Sequence, residues 1–226
     1  MKIGIIAAME SEIKYIIDSL ENKQSHNICG VMIYEGNIKN HHVIVSKSGI
    51  GKVNSAINTA LLINNFKPEL IINSGIAGGS KELSTADLII ADKLTYSDFD
   101  CQVFNYEFGQ VPGMPKYYYC DEVYKKMLEE YLTNNNISFK NSIVLTADSF
   151  RLSAKEIQNK VTSSFATEME GTSIAQACYK LETPFLSFRI ISDILDSENH
   201  IEEYNEFEEK CAILSSKIII NFIKTI

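Results

Sequence analysis

Short apolar runs rich in β-branched residues alternate along this chain with longer amphipathic stretches, a rhythm that confines it to an α/β fold. Residues 2–8 read as a buried strand and 11–20 as a helix. Residues 31–38 and 43–46 read as a hairpin turned at Lys39-Asn40, with His41-His42 beside the turn. Helical spacing of Val53, Ala56, Ile57, Ala60, Leu61 and Ile63 marks a helix over 52–65, which Pro68 ends before a strand at 70–73. Strands follow at 88–91, 142–146 and 185–191, and helices at 121–133, 174–181 and 204–223. Between 95 and 119 the pattern turns aromatic and irregular around Pro112, Gly113 and Pro115, as a functional or interfacial loop does. No linker, repeat or low-complexity segment interrupts the 226 residues, so one domain, 1–226, is expected.

The bulk numbers exclude several function classes. A net charge of −8 argues against a grip on nucleic acid through a general basic surface. No apolar run approaches the roughly 20 residues that cross a bilayer, so no membrane partner is expected. The first eight residues briefly resemble a signal peptide, but the apolar part is short and Glu10 and Glu12 follow at once. Five scattered cysteines without a CxxC spacing suit reduced thiols in a cytoplasm. Four histidines without ligand spacing give no metal site.

Three apolar segments each deliver an acid where a strand is expected to end. They are Glu12 after the first run, Asp193 after 185–191, and the pair in Thr167-Glu168-Met169-Glu170-Gly171 before a helix. A close carboxylate pair at such a junction can grip a diol, with the methionine as an apolar floor. Three strand-end carboxylates make the chain read as an enzyme. Ser48-Gly49-Ile50-Gly51-Lys52-Val53 is no P-loop: the first glycine of that motif is missing before Gly51-Lys52, and Val53 stands where a magnesium-binding hydroxyl belongs. Gly49 and Gly51 suit a tight turn into the next helix. The small residues Asn73-Ser74-Gly75-Ile76-Ala77-Gly78-Gly79 allow either close approach of a flat ligand or a purely structural bend. Read alone, Glu12 is also an ordinary first-turn helix acid and Asp193 a helix cap or Asx turn.

In order and spacing these landmarks, together with Gly109-Gln110-Val111-Pro112-Gly113, Ala147-Asp148-Ser149-Phe150 and Arg189-Ile190-Ile191-Ser192-Asp193, resemble the nucleoside phosphorylase/hydrolase superfamily almost end to end. The resemblance implies a single-domain three-layer α/β sandwich whose central mixed, partly barrel-like sheet is flanked by helices. Within the superfamily it points to cofactor-free hydrolysis of 5′-methylthioadenosine and S-adenosylhomocysteine, with 5′-deoxyadenosine a further candidate. It makes Asp193 the acid facing adenine N7, Glu12 the base for the attacking water, Arg189 an orienter of that water, and Glu170 the acceptor of both ribose hydroxyls. Met169 would pack beneath the sugar, Phe150 stack on adenine, and Arg151 offer backbone groups to its edge. Ala8, Ile76, Ala77, Gly78, Glu168 and Ser192 would line the nucleoside. Met9, Ile50 and Tyr204 would hold the 5′-alkylthio group, joined by Phe104, Tyr106 and Pro112 from the 104–115 loop of a homodimer partner.

One position departs from that pattern. The family commonly carries serine two residues before Gly78-Gly79, and this chain carries Ile76. Loss of one hydrogen bond to a reacting group costs on the order of 1–3 kcal/mol, so a lower rate or shifted substrate choice is expected. Alternatives with the same fold are a phosphate-dependent phosphorylase, a futalosine-type hydrolase and a nucleoside-binding module with impaired turnover. Only two arginines, Arg151 and Arg189, argue against phosphate.

Overall fold

The structure, a computed structural model, describes residues 1–158, 160–161, 163–198 and 200–226. In chain order the elements are β1 (Lys2–Ala7), α1 (Glu10–Asp18), β2 (Glu21–Ile28), β3 (Val31–Ile38), β4 (His41–Lys47), α2 (Lys52–Phe66), β5 (Leu70–Gly79) and β6 (Leu88–Tyr96). They continue with a 3-10 turn (Gln102–Phe104), α3 (Glu122–Asn134), β7 (Lys140–Thr146), α4 (Lys155–Gln158), β8 (Phe165–Glu168), α5 (Gly171–Lys180), β9 (Phe185–Ile194) and α6 (His200–Ile223).

The described strands form one mixed sheet ordered β2-β3-β4-β1-β5-β8-β7-β6-β9, and an additional β5–β9 pairing closes the last five into a small barrel. This is the α/β architecture with a barrel-like mixed sheet that the resemblance implied. β1 is parallel to both β4 and β5 and is buried from Ile3 to Ala7. A strand covered on both faces has no polar side to show, hence its unbroken apolar run. The helices cover the sheet with α1 and α6 packed on each other, α6 on β9, and α2 on α5. Lys67 closes α2 in the left-handed conformation, its N–H bonding to the Ile63 carbonyl at 3.0 Å, and Pro68 forbids further helix.

Strand β5 belongs to both halves of the sheet. Its start lies between β1 and β9, and its last residues also pair with β8, Gly78 opposite Thr167 and Gly79 opposite Ala166. The expected end at Asn73 is therefore too early. Ser74 to Gly79 bend the strand without ending it, because small residues let β8 and β9 both approach. β9 likewise runs three residues past Ile191, so Asp193 lies on the strand opposite Gly78. α6 begins at His200, a turn earlier than its apolar spacing indicates. β2, absent from the sequence reading, is a polar edge strand of sequence ENKQSHNI held by β3.

Close backbone approach also governs the outer hairpin. A Cβ on Gly36 would stand 2.6 Å from the Glu21 carbonyl oxygen and 2.9 Å from the Leu20 Cβ, neither of which can swing away. Gly36→Ala is expected to destabilise the protein by about 1–3 kcal/mol, read as a lower urea midpoint with an unchanged slope.

Candidate active site

A cleft of about 650 Å³ opens where β1, β5, β8 and β9 end, the place where ligands settle in sheets of this kind. Its wall is made by Ala8, Met9, Glu12, Ile50, Ile76, Ala77, Gly78, Ser149, Phe150, Arg151, Thr167, Glu168, Met169, Glu170, Ser192, Asp193 and Tyr204. Segments far apart in sequence thus bring the three predicted acids Glu12, Glu170 and Asp193 to one cavity. Ser149 and Thr167 are additions. Each adjoins a predicted residue, yet a small hydroxyl carries no separate signal in sequence.

Glu12 is buried, not the exposed helix acid it could have been. One carboxylate oxygen accepts the N–H groups of Ala8 and Met9, each at 2.9 Å, and the other accepts the N–H of Ile76 at 3.1 Å. Burial raises its pKa above the usual carboxylate range; those N–H groups and the field of Arg189 pull in the opposite direction. Glycine is required at 75, because a Cβ there would lie 2.3 Å from the Glu12 Oε1.

Glu168 and Glu170, read from sequence as a gripping pair, have separate environments. Glu168 accepts the N–H groups of Glu170 at 2.9 Å and Gly171 at 2.6 Å, the Arg189 Nη2 at 2.9 Å and the Thr146 hydroxyl. It caps α5 and neutralises a buried arginine, which leaves Glu170 as the less encumbered member. Glu170 accepts the N–H of Gly51 at 2.7 Å, and Gly51 sits at φ +98°. Burial first, then the charges of Glu168 and Glu12, push the Glu170 pKa up to about 8.

Arg189 is 2% exposed and does not line the cleft. Besides Glu168, its guanidinium donates to the side chain and carbonyl of Asn73, to the Ser187 hydroxyl and to the Phe188 carbonyl. It reaches Glu12 only through its field.

Asp193 is 1% exposed. Its Oδ1 accepts the Ser192 hydroxyl at 2.5 Å and its Oδ2 lies 2.7 Å from the Nε2 of His200, a residue the sequence reading passed over. Burial raises the Asp193 pKa, while Ser192 and His200 oppose the shift. A Cβ on Gly78 would come 2.8 Å from Oδ2, so the glycine makes room for this carboxylate. Strand placement disposes of the helix-cap alternative.

Phe150 is 49% exposed at the rim, its ring 5.2 Å from Tyr204 and 5.6 Å from His200. The Tyr204 hydroxyl points to the Met9 sulfur at 3.9 Å, and the Arg151 Nη2 donates to the Ser97 carbonyl at 3.2 Å. Phe104, Tyr106 and Pro112 do not line this cleft; Phe104 is 72% exposed on the surface. Among the described residues, no helix is long and apolar enough to cross a membrane, and no group of His, Cys, Asp or Glu could hold a metal ion.

Raised carboxylate pKa values link stability to pH. Between the ordinary glutamate range and about pH 8 the folded protein holds a proton on Glu170 that the unfolded chain has released, so raising the pH favours unfolding. The ligand-free melting temperature is expected to fall as pH rises through that window, and Glu170→Gln to flatten the fall, measured by calorimetry at constant ionic strength.

A phosphorylase superfamily model matches residues 2–224. A 5′-methylthioadenosine/S-adenosylhomocysteine nucleosidase of Staphylococcus saprophyticus is 40% identical over 228 residues, covering 99% of this chain and all of the relative. The S-adenosylhomocysteine nucleosidase of Streptococcus pyogenes in complex with 5-methylthiotubericidin superposes with a TM-score of 0.94 at 33% identity, covering 100% of this chain and 97% of that one. The Neisseria meningitidis 5′-methylthioadenosine/S-adenosylhomocysteine nucleosidase in complex with methylthio-immucillin-A gives 0.93 at 31% identity, covering 100% and 99%. Matched along its whole length in sequence and in fold, this chain belongs to the 5′-methylthioadenosine/S-adenosylhomocysteine nucleosidase family of the phosphorylase superfamily.

Proposed function

We propose that this protein hydrolyses the N-glycosidic bond of 5′-methylthioadenosine and S-adenosylhomocysteine, releasing adenine and the 5′-thioribose product. The observation that carries the reading is the convergence of Glu12, Glu170 and Asp193 on one cleft. Breaking the bond builds positive charge on the ribose and negative charge on the departing base. Asp193, whose burial favours the protonated acid, gives its proton to N7 and so turns adenine into a neutral leaving group. Glu12, whose burial raises its affinity for a proton, takes one from the water that attacks the sugar. Glu170 accepts the ribose hydroxyls in place of the Gly51 N–H, and Met169 supports the ring. Phe150 stacks on the purine, with Arg151, Ser192 and Gly78 along its edge. Arg189 acts from behind the wall by fixing Glu168 and by its field on the acids. No step calls for a cofactor.

Phosphorolysis fits the site poorly. A phosphate site favours converging arginines, and the only two here already donate to Glu168 and Asn73 and to the Ser97 carbonyl. The apolar 5′ end is supported by Met9, Ile50 and Tyr204. Exposed Ile50, Val53, Ile57, Val103 and Phe104 support a homodimer in which the partner's 104–115 segment completes that end. Free buried Cys120, Cys178 and Cys211 accord with a cytoplasmic location.

Adenine release from both thioethers is expected without phosphate; strict dependence on phosphate would overturn hydrolysis. Asp193→Asn should lower kcat by about 10²–10⁴-fold while ligand still binds, and full activity of that variant would remove Asp193 from the acid role. Phe104→Ala is expected to raise KM for methylthioadenosine more than for adenosine. Sedimentation as a monomer with unchanged KM would dismiss the partner's contribution.

A further inference from the structure

Two sequence landmarks contain residues that the reaction does not use: Lys52 after Gly51, and Asp148 two residues before Phe150. The fold brings both to Asp98. The Lys52 Nζ donates to each carboxylate oxygen of Asp98 at 2.8 Å and lies 3.5 Å from the Asp148 Oδ2. Asp98 Oδ2 accepts the N–H of Asp148 at 2.8 Å, and Asp148 Oδ1 accepts the N–H of Lys52 at 2.8 Å. Each member touches the other two. We propose that Lys52, Asp98 and Asp148 are positioning residues, a clasp that fixes the 148–151 segment so that Phe150 meets the bound purine. The inference rests on the nucleosidase reading above and adds to it what sets the affinity for the base.

Phe150 needs such support. It lies in neither helix nor strand, and half of its ring is open to solvent at the rim. The segment around it is tied at both ends to one stretch of chain, residues 97–98. Asp148 is held by Asp98, and the Arg151 Nη2 donates to the Ser97 carbonyl at 3.2 Å. Phe150 stands between these anchors. A third tie runs to α2. That helix starts at Gly51, which has no side chain to cap it, and its first turn holds no acid. Its leading N–H groups therefore need acceptors from elsewhere. Glu170 takes the N–H of Gly51 at 2.7 Å and Asp148 takes the next. The acid assigned to the sugar and the segment assigned to the base thus share one helix start.

Charge makes the lysine the keystone of the clasp. Asp98 and Asp148 are like charges in close contact, and the ammonium between them turns repulsion into attraction. The Lys52 and Asp98 side chains are 22% and 23% exposed, so solvent screens the pair less than an open surface bridge. The ammonium also lies 5.4 Å above the Tyr96 ring, which holds it from a further side. Without it the two carboxylates push apart, and the irregular 148–151 segment is the part that yields. None of the three side chains lines the cleft, so the effect falls on how the base is held and not on the reacting acids.

The test is steady-state kinetics with 5′-methylthioadenosine, and inhibition by adenine, in Lys52→Met and Asp98→Ala. Adenine has no sugar, so its inhibition constant reads the purine end alone. Each variant is expected to raise KM and the adenine inhibition constant together, by roughly three- to tenfold, the worth of one aromatic contact, with kcat within about twofold of the parent. Combining the two substitutions should cost no more than either alone, because both open the same clasp. Lys52→Arg, whose guanidinium can reach both carboxylates, is expected to restore both constants. Unchanged KM and adenine inhibition in the open-clasp variants, or a loss confined to kcat, overturns the proposal. Should the variants fail to fold, hydrogen exchange in the ligand-free parent decides. The amides of Lys52 and Asp148 are expected to exchange about tenfold or more slower than in an unstructured peptide, and exchange at the unstructured rate overturns the clasp. Absence of adenine release by the parent enzyme would defeat the nucleosidase reading and this one with it, whereas turnover with unmoved adenine inhibition in the variants defeats this one alone.

Discussion

The ion pair between Arg189 and Glu168 is the contact on which the site is built. Its two side chains are 2% and 3% exposed and meet at 2.9 Å. Through Asn73, Thr146, Gly171 and the Ser187 hydroxyl it ties β5, β7, β9 and the start of α5 to the end of β8. Burying two charges costs several kcal/mol, and the penalty is recovered only where the remaining hydrogen-bonding capacity is filled. Here it is filled, by backbone and side-chain partners on every side. The energetic worth of the pair is thus geometric: five elements cannot shift relative to one another without exposing an unpaired charge.

That fixed frame makes the rest of the cleft tolerable. Burial raises the proton affinity of Glu12, Glu170 and Asp193 above that of free carboxylates. Such acids are poorly suited to stability and well suited to proton transfer. The glycines opposite them serve the same end. Gly75 and Gly78 leave no Cβ where Glu12 and Asp193 need space, so backbone and carboxylate come together at distances that alanine would forbid.

Much of this was legible in order along the chain. The β1 run, the α2 periodicity with its Pro68 stop, and the acids at 12, 170 and 193 could be read directly. β2 could not, because a solvated edge strand carries no apolar alternation; its polar residues are aligned by the β3 ladder. The continuations of β5 to Gly79 and β9 to Ile194 were hidden for a different reason. Glycine and alanine in β5, and Ser192-Asp193 in β9, weaken strand propensity locally, and only pairing with neighbouring strands shows that the ladder continues. His200 escaped because a single histidine seven residues after an acid has no spacing signature.

By itself the sequence determined the α/β class, the family and the identity of the acids, since periodicity and motif order are properties of neighbouring residues. Tertiary structure alone decided how each acid is held. Glu168 and Glu170 are two residues apart, chemically alike and both in the cleft wall, yet one is consumed by Arg189 and the α5 cap while the other accepts the N–H of Gly51. It also decided that Arg189 works from behind the wall and that His200 touches Asp193. The reason is physical: hydrogen-bond commitment and burial depend on groups brought together from distant parts of the chain, and local sequence holds no record of those distances.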